Sequence, residues 1–175
     1  RNAFRLAPNV RDTDWLDAGV ILRGINSEGI GGPSGSPLAT FYVDGVPQSM
    51  NGMRRGATSL WDAKQLEILR GPQSVLSGRN ALAGAIRLAT NDPIFGNENS
   101  IRLGVGDHAL REGAFMFNRQ LNDRWAFRAT GELFQEEGDI SYPNYGGYAN
   151  LDERSKADFD QYRFKLRYLP GDEDG

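Results

Sequence analysis

The sequence contains no cysteine and a single histidine, His108, among its 175 residues. These absences exclude disulfide frameworks, zinc knuckles, iron-sulfur ligation, thiol nucleophiles and most histidine-built metal sites. We therefore expect neither a metal nor a cofactor. No apolar run reaches the roughly 18 to 20 residues that a membrane-spanning helix needs. Residue 1 begins without a charged and apolar leader, so we expect no helical anchor.

The sequence also lacks a large excess of charge of either sign. The 20 Lys and Arg residues stand against 23 Asp and Glu residues, for a formal net charge of -3. Such a balance argues against a general polyanion binder, and we expect no nucleic-acid partner. Glycine, in contrast, is abundant, with 22 residues against an average of about 7%. Glycines in strand interiors and tight turns indicate closely approaching backbones.

The first half of the chain, to about Pro93, reads as a small α+β unit. Short strands are predicted at residues 20–23, 40–44, 65–69 and 85–89, because each is apolar or β-branched in part and bounded by turn residues. Ser59 to Asp62 fits the start of a helix. Pro72 suits the first turn of a second short helix, which we expect to end near Leu76. The segment from Asp44 to Pro47 predicts a turn in which the Asp44 carboxylate accepts local backbone hydrogen bonds.

From residue 100 the pattern changes to longer segments with a period of two. Ile101, Leu103 and Val105 alternate with polar or small residues, and three further segments up to Tyr168 do the same. One face of each predicted strand is therefore apolar and the other charged. The charged face carries Arg102, Glu112, Asn118, Arg128, Glu132, Arg163, Lys165 and Arg167.

The alternation alone leaves two structures open. A half-exposed antiparallel sheet in a soluble protein shows the same pattern. Three features favour a membrane barrel instead: segments of about nine to eleven residues, the aromatic residues Trp125, Tyr162 and Tyr168 near segment ends, and connections that alternate in length. A tight turn is predicted at 121–124 and a long polar loop at 138–160.

Five segments in the first half carry a more specific signal. They read LRGI at 22–25, FYVDGVP at 41–47, LEILRGPQSVL at 66–76, GRNALAGAI at 78–86 and TNDP at 90–93. In this order and spacing they resemble the plug domain of the TonB-dependent outer-membrane receptors. The alternating segments that follow resemble the first strands of that family's barrel.

The resemblance implies an α+β plug domain followed by antiparallel transmembrane β-barrel strands, as a fragment of a 22-stranded plugged barrel. Residues 1–93 would form the plug, 94–99 a linker, and 100–175 the first four barrel strands. The expected location is the bacterial outer membrane. The short N-terminal segment through which such receptors engage their energy-transducing partner is not recognisable before Trp15.

The function implied by the resemblance is TonB-dependent active import of a scarce nutrient, with the plug gating the barrel. A siderophore-iron chelate, a vitamin and an oligosaccharide all stay open as ligands. The implied partners are TonB, the nutrient ligand and outer-membrane lipid. Two alternatives are an outer-membrane receptor that binds its ligand and signals without importing it, and a soluble β-sheet binding domain.

The resemblance also assigns roles to charged residues of the plug. Arg23 and Arg70 each end a predicted strand and precede a glycine. In similar receptors, arginines at these positions pair with carboxylates on the inner barrel wall. Glu67 either joins the same charge network or is solvated. A solvated surface position is the alternative for the arginines too.

Two polar loops, residues 26–37 and 47–58, correspond to loops that similar plugs present to the outside. In the second loop, Asn51, Arg54 and Arg55 are candidates for contact with an anionic ligand, because the arginines supply positive charge. Tyr142 and Tyr145 in the long loop could stack on a flat ligand. Loop solubility and loop ordering are the alternative roles of these residues.

An enzyme is the remaining rival. Residues 104–109, with the sequence GVGDHA, follow a predicted strand and mimic a dinucleotide-binding fingerprint. The match fails because residues 110–120 alternate with a period of two instead of forming the required helix. We therefore expect no catalytic residues.

Overall fold

The computed structural model describes residues 8–12, 20–26, 38–49, 59–72, 82–137 and 157–170. The chain divides into two compact units, residues 1–91 and 92–175. Every regular element in the described ranges is a β-strand. Within those ranges, no helix has the length and apolar character needed to cross a membrane.

The first unit contains two sheets. Three short antiparallel strands form one of them in the order β1-β2-β3: β1 (Val10–Asp12), β2 (Val20–Leu22) and β3 (Ile25–Asn26). The other sheet has the order β5-β4-β7-β6 and joins β4 to β7 in parallel. Its strands are β4 (Ala39–Val43), β5 (Val46–Pro47), β6 (Ala63–Arg70) and β7 (Gly84–Thr90).

The core of the first unit is apolar. Leu22 and Ile86 are its largest fully buried apolar side chains. Across the larger sheet, Phe41, Ile86 and Ile68 lie side by side in the strand register and pack together. One residue further along, the row of Tyr42, Arg87 and Glu67 faces the other way and is mostly polar. This unit buries apolar surface and exposes polar surface, as water-soluble domains do.

The predicted strands of the first unit are confirmed as β2, β4, β6 and β7. The strands β1, β3 and β5 were not predicted; β2 is as short as β1, but it consists of three successive apolar residues, Val20 to Leu22. Between β4 and β5, Asp44 and Gly45 have φ angles of 48° and 82°, as a two-residue hairpin turn requires. The turn was predicted, but the Asp44 carboxylate also binds a residue far along the chain: the backbone amide and the hydroxyl of Thr90 donate to it, both at 2.7 Å.

The helix predicted to start at Ser59 is wrong. The Ser59 hydroxyl accepts a hydrogen bond from the Trp61 amide at 2.9 Å, but Asp62 then adopts a left-handed φ of 59°. A right-handed helix cannot pass through that conformation. The chain instead turns and enters β6 at Ala63. Beyond Pro72, the second predicted helix lies outside the described residues.

The second unit is an antiparallel sheet with the order β11-β10-β9-β8. Its strands are β8 (Glu98–Val105), β9 (Arg111–Gln120), β10 (Trp125–Glu136) and β11 (Ala157–Tyr168). The tight turn at 121–124 is confirmed, and the Asn122 side chain accepts the amides of Arg124 and Trp125 at 2.9 Å. The predicted end of the long loop at Asp160 is wrong, because β11 begins at Ala157. Residues 138–156 lie outside the described residues.

The two faces of this sheet reverse the arrangement of the first unit. Leu103 and Val105 are 82% and 88% exposed. Asn118 is completely buried, and Arg128, Thr130 and Glu132 are almost as inaccessible. The predicted alternation of an apolar and a charged face is therefore confirmed, and on the central strands β9 and β10 the charged face is the buried one.

Aromatic rings cover parts of the exposed apolar face. The rings of Trp125 and Tyr168, at paired ends of β10 and β11, lie 4.7 Å apart. Farther along the strands, the Phe115 ring and Tyr162 lie against Gly131, where a Cβ atom would overlap the Phe115 ring. At this glycine the close approach is made by side chains and not by backbone. Gly84 does approach backbone, since a Cβ there would overlap the Leu69 carbonyl oxygen.

Candidate functional site

The two candidate arginines of the first unit lie close together. Arg23 occupies the β2–β3 turn with a φ of 51°, followed by Gly24 at 81°, and its amide donates to the Asn9 carbonyl at 2.9 Å. Arg70 Nη1 donates to the neighbouring Pro8 carbonyl at 3.0 Å. The structure therefore brings both arginines to the turn that precedes β1.

Gly71 has a part in this arrangement. It follows Arg70 with a φ of 98°, in the left-handed region that favours glycine. A Cβ atom at this position would lie 3.6 Å from Arg23 Nη1. At both positions, therefore, a strand ends, the chain turns sharply at the glycine, and the arginine side chain extends from the turn.

Glu67 does not belong to this arginine pair. In the register of the larger sheet it lies beside Arg87, which lies beside Tyr42. This row faces away from the core, and Glu67 accepts a hydrogen bond from Gln65 Nε2 at 2.9 Å. The Arg87 guanidinium carbon lies 5.9 Å from the centroid of the Tyr42 ring. These side chains line a shallow cavity of about 440 Å³.

The five predicted ligand contacts, Asn51, Arg54, Arg55, Tyr142 and Tyr145, lie outside the described residues. Two aromatic residues that the sequence analysis did not single out lie near the long loop. Phe134 and Phe159 stack at 5.2 Å with an interplanar angle of 14°. Both belong to the face of the second sheet that carries Glu132. The alternation of β10 could have placed Phe134 on this face, but only the strand register places Phe159 opposite to it.

The charged face of the second sheet is crossed by ion pairs. Arg102 bridges two carboxylates, with Nε 3.1 Å from Glu112 Oε1 and Nη2 3.3 Å from Glu132 Oε1. Arg128 Nη1 lies 3.3 Å from Glu98 Oε2. These pairs connect β8, β9 and β10, so that buried charges on this face have opposite charges nearby. Among the described residues, no cluster of His, Asp or Glu is arranged to hold a metal ion.

The same face also holds the segment that connects β7 to β8. The Asn118 side chain accepts the Ile94 amide at 3.0 Å and donates to the Ile94 and Gly96 carbonyls, both at 2.8 Å. The Gln120 amide donates to the Gly96 carbonyl at 3.1 Å. Asn118 thus binds the backbone of this segment at three points.

Two cations on β11 hold the beginning of the same segment. Lys165 Nζ lies 3.1 Å from Asp92 Oδ1. Arg167 Nη1 donates to the Pro93 carbonyl at 3.1 Å, and its guanidinium carbon lies 5.4 Å from the centroid of the Phe95 ring. We call Asn118, Lys165 and Arg167, together with residues 92–97, the linker clamp. Alternation places the three side chains on one face, but no local pattern reveals residues 92–97 as their partner.

Residues 1–85 match the family described as the TonB-dependent Receptor Plug Domain. Together with the strands that follow, this match identifies the chain as a plug domain and barrel strands of a TonB-dependent receptor. The predicted recognition and fold class are thereby confirmed.

Individual receptors show the same relationship. The chain is 31% identical to the pesticin receptor of Yersinia enterocolitica over 140 residues, which cover 79% of this chain and 20% of that receptor. It is 28% identical to the ferrioxamine B receptor of Salmonella typhimurium over 163 residues, or 89% of this chain and 22% of that receptor. The chain spans about a fifth of the length of these curated relatives.

Solved structures agree with the sequence relatives. The ferric yersiniabactin uptake receptor FyuA from Yersinia pestis superposes with a TM-score of 0.73 at 25% identity, over 96% of this chain and 26% of that one. The pyoverdine outer membrane receptor FpvA from Pseudomonas aeruginosa shares the fold with a TM-score of 0.64 at 18% identity, over 79% of this chain and 20% of that one.

These findings also settle the broader class. Receptors with this plug domain are outer-membrane proteins of Gram-negative bacteria, and they are not enzymes. The predicted outer-membrane location is confirmed. The soluble-domain alternative is excluded on the same ground.

Proposed function

We propose that the full-length protein imports a ferric siderophore across the outer membrane with energy supplied through TonB. The observation that carries the proposal is a plug domain followed directly by strands with an exposed apolar face and a buried charged face. Names of several relatives favour an iron chelate, among them the ferrioxamine B and ferric yersiniabactin receptors. A vitamin B12 transporter of Vibrio vulnificus, 27% identical over 132 residues, keeps a vitamin as an outcome of the test.

In this proposal, residues 1–93 form the plug, 94–97 the linker and 98–175 the first barrel strands. The predicted bounds of 94–99 and 100–175 move by two residues because β8 begins at Glu98. The plug fills the barrel, and Arg23 and Arg70 reach carboxylates on the barrel wall. Asn51, Arg54 and Arg55 meet the ligand from the plug side, and Tyr142 and Tyr145 meet it from a barrel loop.

The chemistry of the charged face supports such a role. Contacts that a plug makes with such a face would be ion pairs and hydrogen bonds, the kind that the face already makes within itself between Arg102 and Glu132 and between Arg128 and Glu98. Water can replace contacts of this kind one at a time, whereas separation of an apolar interface exposes its whole area at once. A wall with this composition suits a plug that must rearrange while a ligand passes, and no covalent bond is broken.

Uptake of radioactive iron by cells with and without the full-length gene tests the proposal. Ferrioxamine B, ferric yersiniabactin and ferric pyoverdine serve as the ligand panel, with labelled vitamin B12 in parallel. Expected is uptake of at least one chelate that requires the gene and TonB and that a protonophore abolishes, while ligand binding to the cells persists.

Uptake that continues with a protonophore or without TonB would overturn the energised mechanism. Gene-dependent uptake of vitamin B12 alone would replace the siderophore by a vitamin. Ligand binding without uptake of any of these compounds would favour a receptor that only signals.

A further inference from the structure

The path of residues 92–97 over the second sheet is defined by its contacts. Asp92 and Pro93 are held by Lys165 and Arg167 on β11, and Ile94 and Gly96 by Asn118 on β9. Because β10 lies between β9 and β11, the segment crosses the strands before the chain enters β8. It therefore lies flat on the charged face and does not span open space.

Asn118 is the central contact of the clamp. Its side chain is fully buried, and both of its amide protons and its oxygen are used by the backbone of the segment. A buried amide that loses its partners carries a full desolvation penalty, and so do the backbone groups that it leaves behind. Release of the segment would break these bonds together with the two cationic contacts from β11.

We propose that residues 92–97 are a fixed anchor, which stays clamped to the barrel strands while the plug rearranges, and that Asn118 is the positioning residue of this anchor. The inference rests on the proposed transport function. It makes the predicted linker a static element and places the limit of the moving part at Asn91. Pulling or unfolding of the plug would then have to stop there.

A covalent substitute for the clamp tests this directly in the full-length receptor. The double variant Gly96→Cys and Asn118→Cys removes the Asn118 amide and allows a covalent bond to replace it. The two thiols are joined by oxidation to a disulfide or by a short thiol-reactive cross-linker that a reductant cleaves. The loss of free thiols measures how much of the receptor is cross-linked. Expected is at least about threefold lower uptake in the reduced pair than in the wild type, and recovery toward the wild-type rate on closure. The opposite result is expected if the segment must leave the barrel wall during transport: the cross-link would then abolish uptake, and a reductant would restore it.

Hydrogen exchange provides a readout that needs neither cross-link closure nor uptake. In the purified full-length receptor, Asn118→Leu should accelerate exchange of the Ile94 amide by about tenfold or more, because its acceptor is gone. Asn118→Asp keeps that acceptor but loses both donated bonds, so an intermediate rate is expected. The control is Asn99→Leu on the exposed face of β8, which removes a hydrogen bond from Arg119 and should leave the exchange rate of the Ile94 amide unchanged. Equal exchange in the wild type and Asn118→Leu would overturn the clamp.

Failure of the anchor and failure of the proposed function are separable. A receptor without energised uptake of any ligand contradicts the transport proposal, while exchange at Ile94 still decides whether the clamp exists. Normal uptake by Asn118→Leu despite faster exchange would show that the clamp is present but is not required as an anchor.

Discussion

The two units of the chain use the same strand pattern with opposite sides buried. In the first unit Ile86 and Leu22 are buried, and the row of Tyr42, Arg87 and Glu67 faces away from the core. In the second, Asn118 is buried and Val105 is exposed. A period of two thus predicts a strand but not the side that faces the interior, because that choice depends on the surrounding solvent. The second unit has the orientation expected in a hydrocarbon surrounding.

The strongest test of this contrast places the same polar residue in each buried layer. Ile86→Gln should cost the first unit about 4 kcal/mol, because it leaves an amide without a partner in an apolar core. Met116→Gln should cost about 1 kcal/mol or less, since Met116 lies in register between Ser100 and Thr130 on the polar face. The readout is the urea concentration at which residues 1–91, or the barrel, of the full-length receptor become protease-sensitive. Equal losses would remove the contrast.

A positive charge on the exposed surface should destabilise the second unit more than the first. Ile101 is 69% exposed and lies next to Phe115 in the sheet register, so Ile101→Arg would put a cation against lipid at a cost of about 3 kcal/mol. Val46, 61% exposed in the first unit, should accept arginine within about 0.5 kcal/mol. The amount of receptor assembled in outer-membrane fractions measures both. Similar assembly of both variants would argue that the exposed face of the second unit does not meet lipid.

Two glycines sharpen the comparison at the level of backbone packing. Gly84→Ala should destabilise the first unit by about 2 kcal/mol, because the new methyl group meets the Leu69 carbonyl and φ is 150°. Gly131→Ala meets only the outer atoms of aromatic rings, which can turn aside, so a loss below about 1 kcal/mol is expected. The urea assay applies to both variants, and a larger loss at Gly131 would show that its rings are fixed.

The smallest effect of a contact within the first unit concerns the arginine at the end of β6. Arg70→Ala removes the hydrogen bond to the Pro8 carbonyl, which at an exposed position contributes about 1 kcal/mol. The ion pair proposed between Arg70 and a carboxylate of the barrel wall would raise the loss to about 3 kcal/mol or more. Lys64→Ala, on the same strand, should be neutral within about 0.5 kcal/mol. Plug protease resistance and pore conductance of the full-length receptor are the measurements. A loss of only about 1 kcal/mol would contradict the proposed ion pair with the barrel wall.

Much of the fold was predictable, because it depends on signals between near neighbours in the chain. The strands β8 to β11 have a clear period of two, and the turn with Asp44 and Gly45 has the residues that a two-residue hairpin needs. The helix at Ser59 was predicted wrongly because its capping signal is also compatible with a turn, and only the left-handed Asp62 decides between them.

Contacts between distant residues were not predictable. Asp44 binds Thr90 and Asn118 binds Ile94 and Gly96, across 46, 24 and 22 positions of the sequence. Each contact depends on sheet order and register, which no local pattern encodes. For the same reason, the sequence indicated Arg23 and Arg70 separately but could not show that they meet at one turn.

The pairing order of the second sheet has a practical consequence. Within the described residues, β8 and β11 are each paired on one side only. A recombinant fragment of residues 92–175 would therefore have two strand edges with unpaired backbone amide and carbonyl groups. Unpaired strand edges promote aggregation by pairing with other copies, and the exposed apolar face adds to that tendency. Laboratory work on these strands therefore calls for expression of the whole gene, or for refolding in detergent together with the segments that would close the ring.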